Sequence, residues 1–136
     1  MVCEDGAVLE RTVRIRWRDL DAYGHVNNAV YLTYLEEVRD AWAKQVLGEG
    51  FDFVIVRIAI DYRSELSFFD EEVLVRCTGT GVGTSSISTR EEIAKRDGEL
   101  AAESESVIVG HDAETRTARP LSEEQRELVQ AAVDAG

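Results

Sequence analysis

The chain has 136 residues, of which 44% are hydrophobic and 31% charged, and it carries a net charge of −12. That length suits one compact domain, and the acidic balance argues against nucleic acid or an anionic membrane surface as a partner. The longest apolar stretch, around Ile58–Ile60, is broken by Arg57 and Asp61, so no segment spans a bilayer. The N-terminus lacks the basic start and apolar core of a secretory signal, and a cytoplasmic location is expected.

The elements follow in chain order. Residues 8–17 alternate, with Val13, Ile15 and Trp17 against Arg14 and Arg16, and predict a half-buried strand. A polar stretch, residues 19–28, interrupts regular structure. From Ala29 to about Leu47 the apolar spacing becomes helical through Tyr31, Tyr34/Leu35, Val38 and Ala41/Trp42. Glu36, Glu37, Arg39, Asp40 and Lys44 are expected largely on the other faces. Asn27 or Asn28 is suited to cap this helix and Gly48 to end it. Four strand-like runs come next, over residues 53–62, 72–78, 85–94 and 100–109. Gly79–Thr84 and Lys95–Glu99 read as hairpin turns. Ser122 and Gln125 form a capping box ahead of a short amphipathic helix over residues 123–133. Strand, long helix, four strands and short helix predict an α+β layer architecture in one domain, residues 1–136, with its core at about 8–111.

The two cysteines, Cys3 and Cys77, make a poor disulfide framework. Cys77 lies in a strand-like run and is read as a small core residue. Neither has zinc-site spacing, and a metal role for the His111–Asp112 pair is not expected. The Gly79–Thr84 run lacks the spacing of a nucleotide-binding loop, and no Gly-x-Ser-x-Gly elbow is present. No cofactor is expected.

The chemistry is concentrated in Asp19-Leu20-Asp21-Ala22-Tyr23-Gly24-His25-Val26-Asn27-Asn28. Two carboxylates, an imidazole and two amides stand just ahead of a helix start, where orphan N–H groups and a partial positive charge favour an anionic transition state. Asp19 and Asp21 are each suited to close a turn.

Residues 18–36, RDLDAYGHVNNAVYLTYLE, resemble the signature of hotdog-fold thioesterases of the 4-hydroxybenzoyl-CoA type. The runs Asp61-Tyr62-Arg63 and Gly83-Thr84-Ser85-Ser86 are similar to the second half of that family. The resemblance implies a hotdog fold, in which an antiparallel five-stranded sheet wraps around one long helix. Copies would join edge to edge as a homodimer or a dimer of dimers. It implies an acyl-CoA or acyl-carrier-protein thioester as substrate, and Asp21 as nucleophile or general base. The backbone N–H at Asn28 would face the thioester oxygen, with His25 assisting, and the His-Val-Asn-Asn version favours aliphatic acyl groups. Fatty-acyl relatives place Asn where Tyr23 stands. Substrate contacts are expected from Tyr23, Asn27, Tyr31, Arg63, Ser85 and Ser86. Relatives often set basic residues around the hairpin where residues 79–84 carry none. Arg57, Arg63, Arg90, Lys95 and Arg96 are then the candidates for phosphate contact. Glu36 and Glu37 match the helix carboxylate of another hotdog subgroup that lacks the aspartate motif, and are read as solvated or paired with Arg39 or Arg14. A hotdog dehydratase or hydratase, or a binding module without activity, are the competing readings.

Overall fold

The computed structural model describes residues 8–136, so Cys3 lies outside the described residues. Strand β1 (Val8–Arg14) leads through a 3₁₀ turn (Trp17–Asp19) and an irregular loop to helix α1 (Asn28–Leu47). Strands β2 (Phe53–Tyr62), β3 (Glu72–Val82), β4 (Ser86–Lys95) and β5 (Leu100–Asp112) follow. A two-residue strand β6 (Thr117–Ala118) and helix α2 (Glu123–Ala135) complete the chain. Five antiparallel strands run in the order β1-β3-β4-β5-β2, and β6 adds a short sixth beside β5.

Alternation along the strands sets the inner face. Val73, Val75 and Cys77 of β3, Ile87 and Ile93 of β4, and Ala102 and Ile108 of β5 are buried. Tyr34, Leu35, Val38 and Trp42 of α1 fill the space against them. Gly79 permits this closeness, because a Cβ there would lie 2.6 Å from Trp42 Cζ2. Helix α1 covers β1, β3 and β4, and α2 closes over β3. β2 is left at the sheet edge with Val54, Ile55 and Val56 exposed.

The helix boundaries and the Ser122–Gln125 capping box agree with expectation. Three details differ. β1 stops at Arg14, and the chain turns at Arg16, whose N–H donates to the Asp19 carboxylate. Ile15 is therefore buried while Trp17 is 77% exposed. The β3–β4 turn is tighter than expected: Gly79–Val82 remain in the strand with an irregularity between Gly79 and Gly81, and Gly83 N–H closes the turn on Ser86.

The third correction is Arg39, expected on a polar face of α1 and found buried against Glu91. On β4 the inward series Ile87, Thr89, Glu91, Ile93 carries a carboxylate into the core. Glu91 accepts from the hydroxyls of Ser104 and Ser106, both at 2.6 Å, from Thr89, and from Arg39 at 3.4 Å. Four donors around one buried carboxylate offset much of its desolvation. The Cys77 thiol, 3.8 Å from Glu91, is pushed up by burial and then by that charge.

Removing one partner of such a pair leaves a buried charge exposed to no water. Glu91→Ala is expected to lower the unfolding free energy by about 3–5 kcal/mol. Urea denaturation measures it, and the double variant R39M/E91L is expected to recover much of the loss.

Candidate active site

The loop between the 3₁₀ turn and α1 is a short hairpin folded onto the helix start. Leu20 bridges Val26, Asp21 N–H donates to His25 O, and Gly24, at φ 81°, donates to Asp21 O. Asp21 Oδ1 accepts from the N–H groups of Tyr23 (2.8 Å) and His25 (3.2 Å). Its Oδ2 has no hydrogen bond among the described residues. Asp21 thus closes its own turn with one oxygen and leaves the other available.

Asp19 does a different job. It is buried, and its Oδ2 accepts from the Tyr34 hydroxyl at 2.7 Å and from Arg16 N–H at 2.9 Å. Burial works to raise its pKa, but the bonds from Tyr34 and Arg16, with the Arg16 charge, outweigh it and hold the carboxyl below its ordinary value. Burial and the Asp19 contact push the Tyr34 hydroxyl up, so it remains a donor. The main-chain oxygen of Asp19 accepts from Asn27 N–H. The α1 core is thereby tied to both ends of the loop.

Asn27 is the helix cap, its side chain accepting from Ala29 N–H at 2.8 Å. Asn28 is the first helical residue. Its N–H has no acceptor among the described residues, and no acidic side chain lies in the first turn of α1. The partial positive charge there is unopposed by its own side chains.

The imidazole of His25 points to Glu65, with Nε2 3.4 Å from Oε2. Its contact with Asp21 is through the backbone. Glu65 was not anticipated, because it sits in the irregular connection after β2. That connection is held to the loop by Val26 N–H on Leu66 O, by a His25–Ser67 bridge and by Tyr31. Tyr31 is buried, accepting from Leu66 N–H and donating to Ser64 O, both at 3.0 Å. Burial raises the Tyr31 pKa. Tyr62 donates to Asn28 O at 3.0 Å.

The structure therefore gathers Asp21, His25, Asn27, Asn28 and Tyr31. Tyr23 is on the same loop with an exposed ring. Arg63 is engaged by Glu103 at 3.1 Å and Asp61 at 3.7 Å. Ser85 and Ser86 stand apart from Asp21. Ile15 N–H on Glu71 O puts the start of β3 beside the loop, whereas Ser85 lies beyond its end. Eleven residues of strand, roughly 35 Å of extended chain, separate them. Neither the cavity of about 580 Å³ between β1 and α1 nor the one of about 400 Å³ between α1 and β2 is lined by Asp21. Glu36 and Glu37 are exposed.

A family model described as the thioesterase-like superfamily matches residues 15–131, which includes the whole loop. The chain belongs to this superfamily. It is 29% identical over 133 residues to the long-chain acyl-CoA thioesterase FadM of Escherichia coli, covering 92% of this chain and 99% of that one. A thioesterase from Thermus thermophilus, solved with coenzyme A and Zn, is 34% identical, with a TM-score of 0.81 and coverage of 97% and 98%. A Bacillus stearothermophilus structure at 24% identity and TM-score 0.84 shares the fold. The fold is the hotdog fold, and the protein is a thioester hydrolase. Among the described residues, no group of three or more His, Cys, Asp or Glu is placed to hold a metal ion, and no helix is long and apolar enough to cross a membrane.

Because the folded Asp19 carboxyl titrates below its unfolded value, its stabilising contribution is complete above the ordinary aspartate range and is lost as pH falls through the folded value. Asp19→Asn is expected to be less stable than the parent at pH 7. The gap should close on acidification below about pH 4, as thermal melts across pH would show.

Proposed function

We propose that this thioesterase hydrolyses acyl-CoA with an aliphatic acyl group, using Asp21 and the N-terminus of α1. The observation that carries the reading is the pairing of a carboxylate with a free oxygen, Asp21, and an unclaimed N–H at Asn28 on one short loop. The name of the Escherichia coli relative and the coenzyme A in the Thermus thermophilus structure support the substrate class. An acyl-carrier-protein thioester, with the same reacting bond, is the second substrate to assay.

In the general-base form, Asp21 takes a proton from water as the oxygen attacks the thioester carbonyl. The carbonyl oxygen becomes an oxyanion against Asn28 N–H, and the C–S bond then breaks to release the thiol and the free acid. In the nucleophilic form, an Asp21 oxygen attacks the carbonyl and the C–S bond breaks to expel the thiolate; water then hydrolyses the mixed anhydride to the free acid and the Asp21 carboxylate. In both forms Tyr23 and His25 main-chain N–H groups hold Asp21 in place. The His25 imidazole assists from its position beside Glu65. Developing negative charge at a helix start is stabilised by fixed dipoles that need no reorganisation.

The working unit in this reading is a homodimer through β2. That strand is an unpaired edge with an apolar run, a surface that a two-fold copy can cover. The Phe53 end of β2 lies with Gly110 and Ser85, and the Tyr62 end with Asn28. Antiparallel pairing of two β2 strands brings the Ser85–Ser86 end of one copy alongside the Asp21 end of the other. Substrate contacts from Ser85 and Ser86 would then come from the second subunit.

A thiol-release assay over acyl-CoAs of varied length tests this reading. Asp21→Ala is expected to lower kcat by about 10²-fold or more with the circular dichroism unchanged. Asn28→Ala, which keeps its N–H, is expected to retain most activity. Undiminished hydrolysis by the Asp21 variant contradicts the assignment, and a fully active monomer in sedimentation contradicts the shared site.

A further inference from the structure

The phosphate-contact candidates suggested by the sequence are mostly neutralised within the chain. Arg63 is paired with Asp61 and Glu103, Arg90 with Glu92 and Glu103, Lys95 with Glu99 and Arg96 with Glu71. A different basic surface stands open beside the catalytic loop. Residues 11–18, RTVRIRWR, hold four of the fifteen Lys and Arg and no acid, in a chain of net charge −12. Arg11 faces the cavity between β1 and α1, lined also by Glu37, Asp40 and Glu49. Arg14 and Arg18 are exposed and form no ion pair among the described residues, and Arg16 is half exposed against Asp19.

Between Arg16 and Arg18 stands Trp17, 77% exposed, its ring set edge-on to Phe68 at 5.8 Å and 85°. Phe69 beside it is 91% exposed. Trp17, Phe68 and Phe69 together expose aromatic surface rimmed by arginines, the kind of patch that marks a ligand or partner site. The patch adjoins the reaction centre. Trp17 begins the turn that ends at Asp19, and Phe68 follows Ser67, which bridges His25. The acids near it have other engagements: Glu65 with His25, Asp70 with Ser67 N–H, Glu71 with Arg96. Across the strand register Glu72 faces Arg14, with no ion pair between them among the described residues.

We infer that Trp17, Arg14 and Arg18 bind the 3′-phosphorylated adenosine diphosphate end of the substrate, an assignment that rests on the acyl-CoA reading above. A flat indole offers a stacking face for a purine, and exposed guanidinium groups offer paired donors to phosphate oxygens. An aromatic ring between arginines favours a nucleotide over the acidic helical surface of a carrier protein, for which the stacking face has no use. A local cluster of arginines, of which Arg14 and Arg18 are unpaired among the described residues, gives a strongly acidic chain one surface on which a polyanionic substrate can dock.

The test compares one acyl group on two thiols, coenzyme A and pantetheine, which lacks the nucleotide. In Trp17→Ala and Arg18→Glu, KM for acyl-CoA is expected to rise about tenfold with kcat retained. Both constants for acyl-pantetheine should stay at parent values. Calorimetry with 3′-phospho-ADP itself is expected to show binding to the parent and loss in R14E/R18E. Equal damage to both substrates, an unchanged KM for acyl-CoA, or defects confined to acyl-carrier protein would overturn the inference. Turnover of acyl-pantetheine by the parent reports separately on thioester hydrolysis at Asp21. Were it absent, the calorimetry would still decide the nucleotide site.

Discussion

The hydrogen bond from Tyr34, in the core of α1, to the buried Asp19 carboxylate ties the loop that carries Asp21 to the core, and the proposed chemistry depends on that tie. Tyr34 is packed among the inner faces of the sheet, so its hydroxyl is a stationary point. Asp19 takes its position from that point and from Arg16, and its main chain then sets Asn27, the cap of α1. Asp21, the proposed reacting residue, is one short step further along, held by two N–H groups of its own loop. Two neighbouring aspartates thus divide the work: one is buried and structural, the other half-exposed with an oxygen to spare. Placing the reactive group on a loop and its anchors in the core is the usual way to combine precision with access.

Much of this was legible in the sequence, for identifiable reasons. The long helix declares itself by apolar spacing, its start by Asn27 and its end by Gly48. The run of Val and Ile in β2 gives that strand its limits. The loop motif marked Asp21, His25 and Asn28, and the structure holds them within one hairpin and helix start. What escaped were contacts between residues distant in sequence. Glu91 reads as a surface residue until its partner, 52 positions away, is known to be buried with it. Trp17 continues the alternation of Val13 and Ile15, and only the turn at Arg16 takes it into solvent. Glu65 lies in a stretch with no period, so nothing local shows that it meets His25.

The separation of Ser85 and Ser86 from Asp21 has a different origin. No strand pattern states which end of a sheet each loop occupies, since that follows from topology. Once the order β1-β3-β4-β5-β2 is known, the two groups fall at opposite ends of the sheet. The same order leaves β2 as an edge strand with Val54, Ile55 and Val56 exposed. In the proposed dimer, this one feature of the fold accounts both for the distance of Ser85 and Ser86 from Asp21 within one chain and for the surface through which a second chain would bring them together.

The most direct measurement is a crystal structure with a non-hydrolysable acyl-CoA analogue in which the thioester is replaced by a ketone. The carbonyl oxygen is expected within hydrogen-bonding distance of Asn28 N–H, with the carbonyl carbon facing the free oxygen of Asp21. A ligand whose carbonyl lies away from the start of α1, with Asp21 turned to solvent, would contradict it.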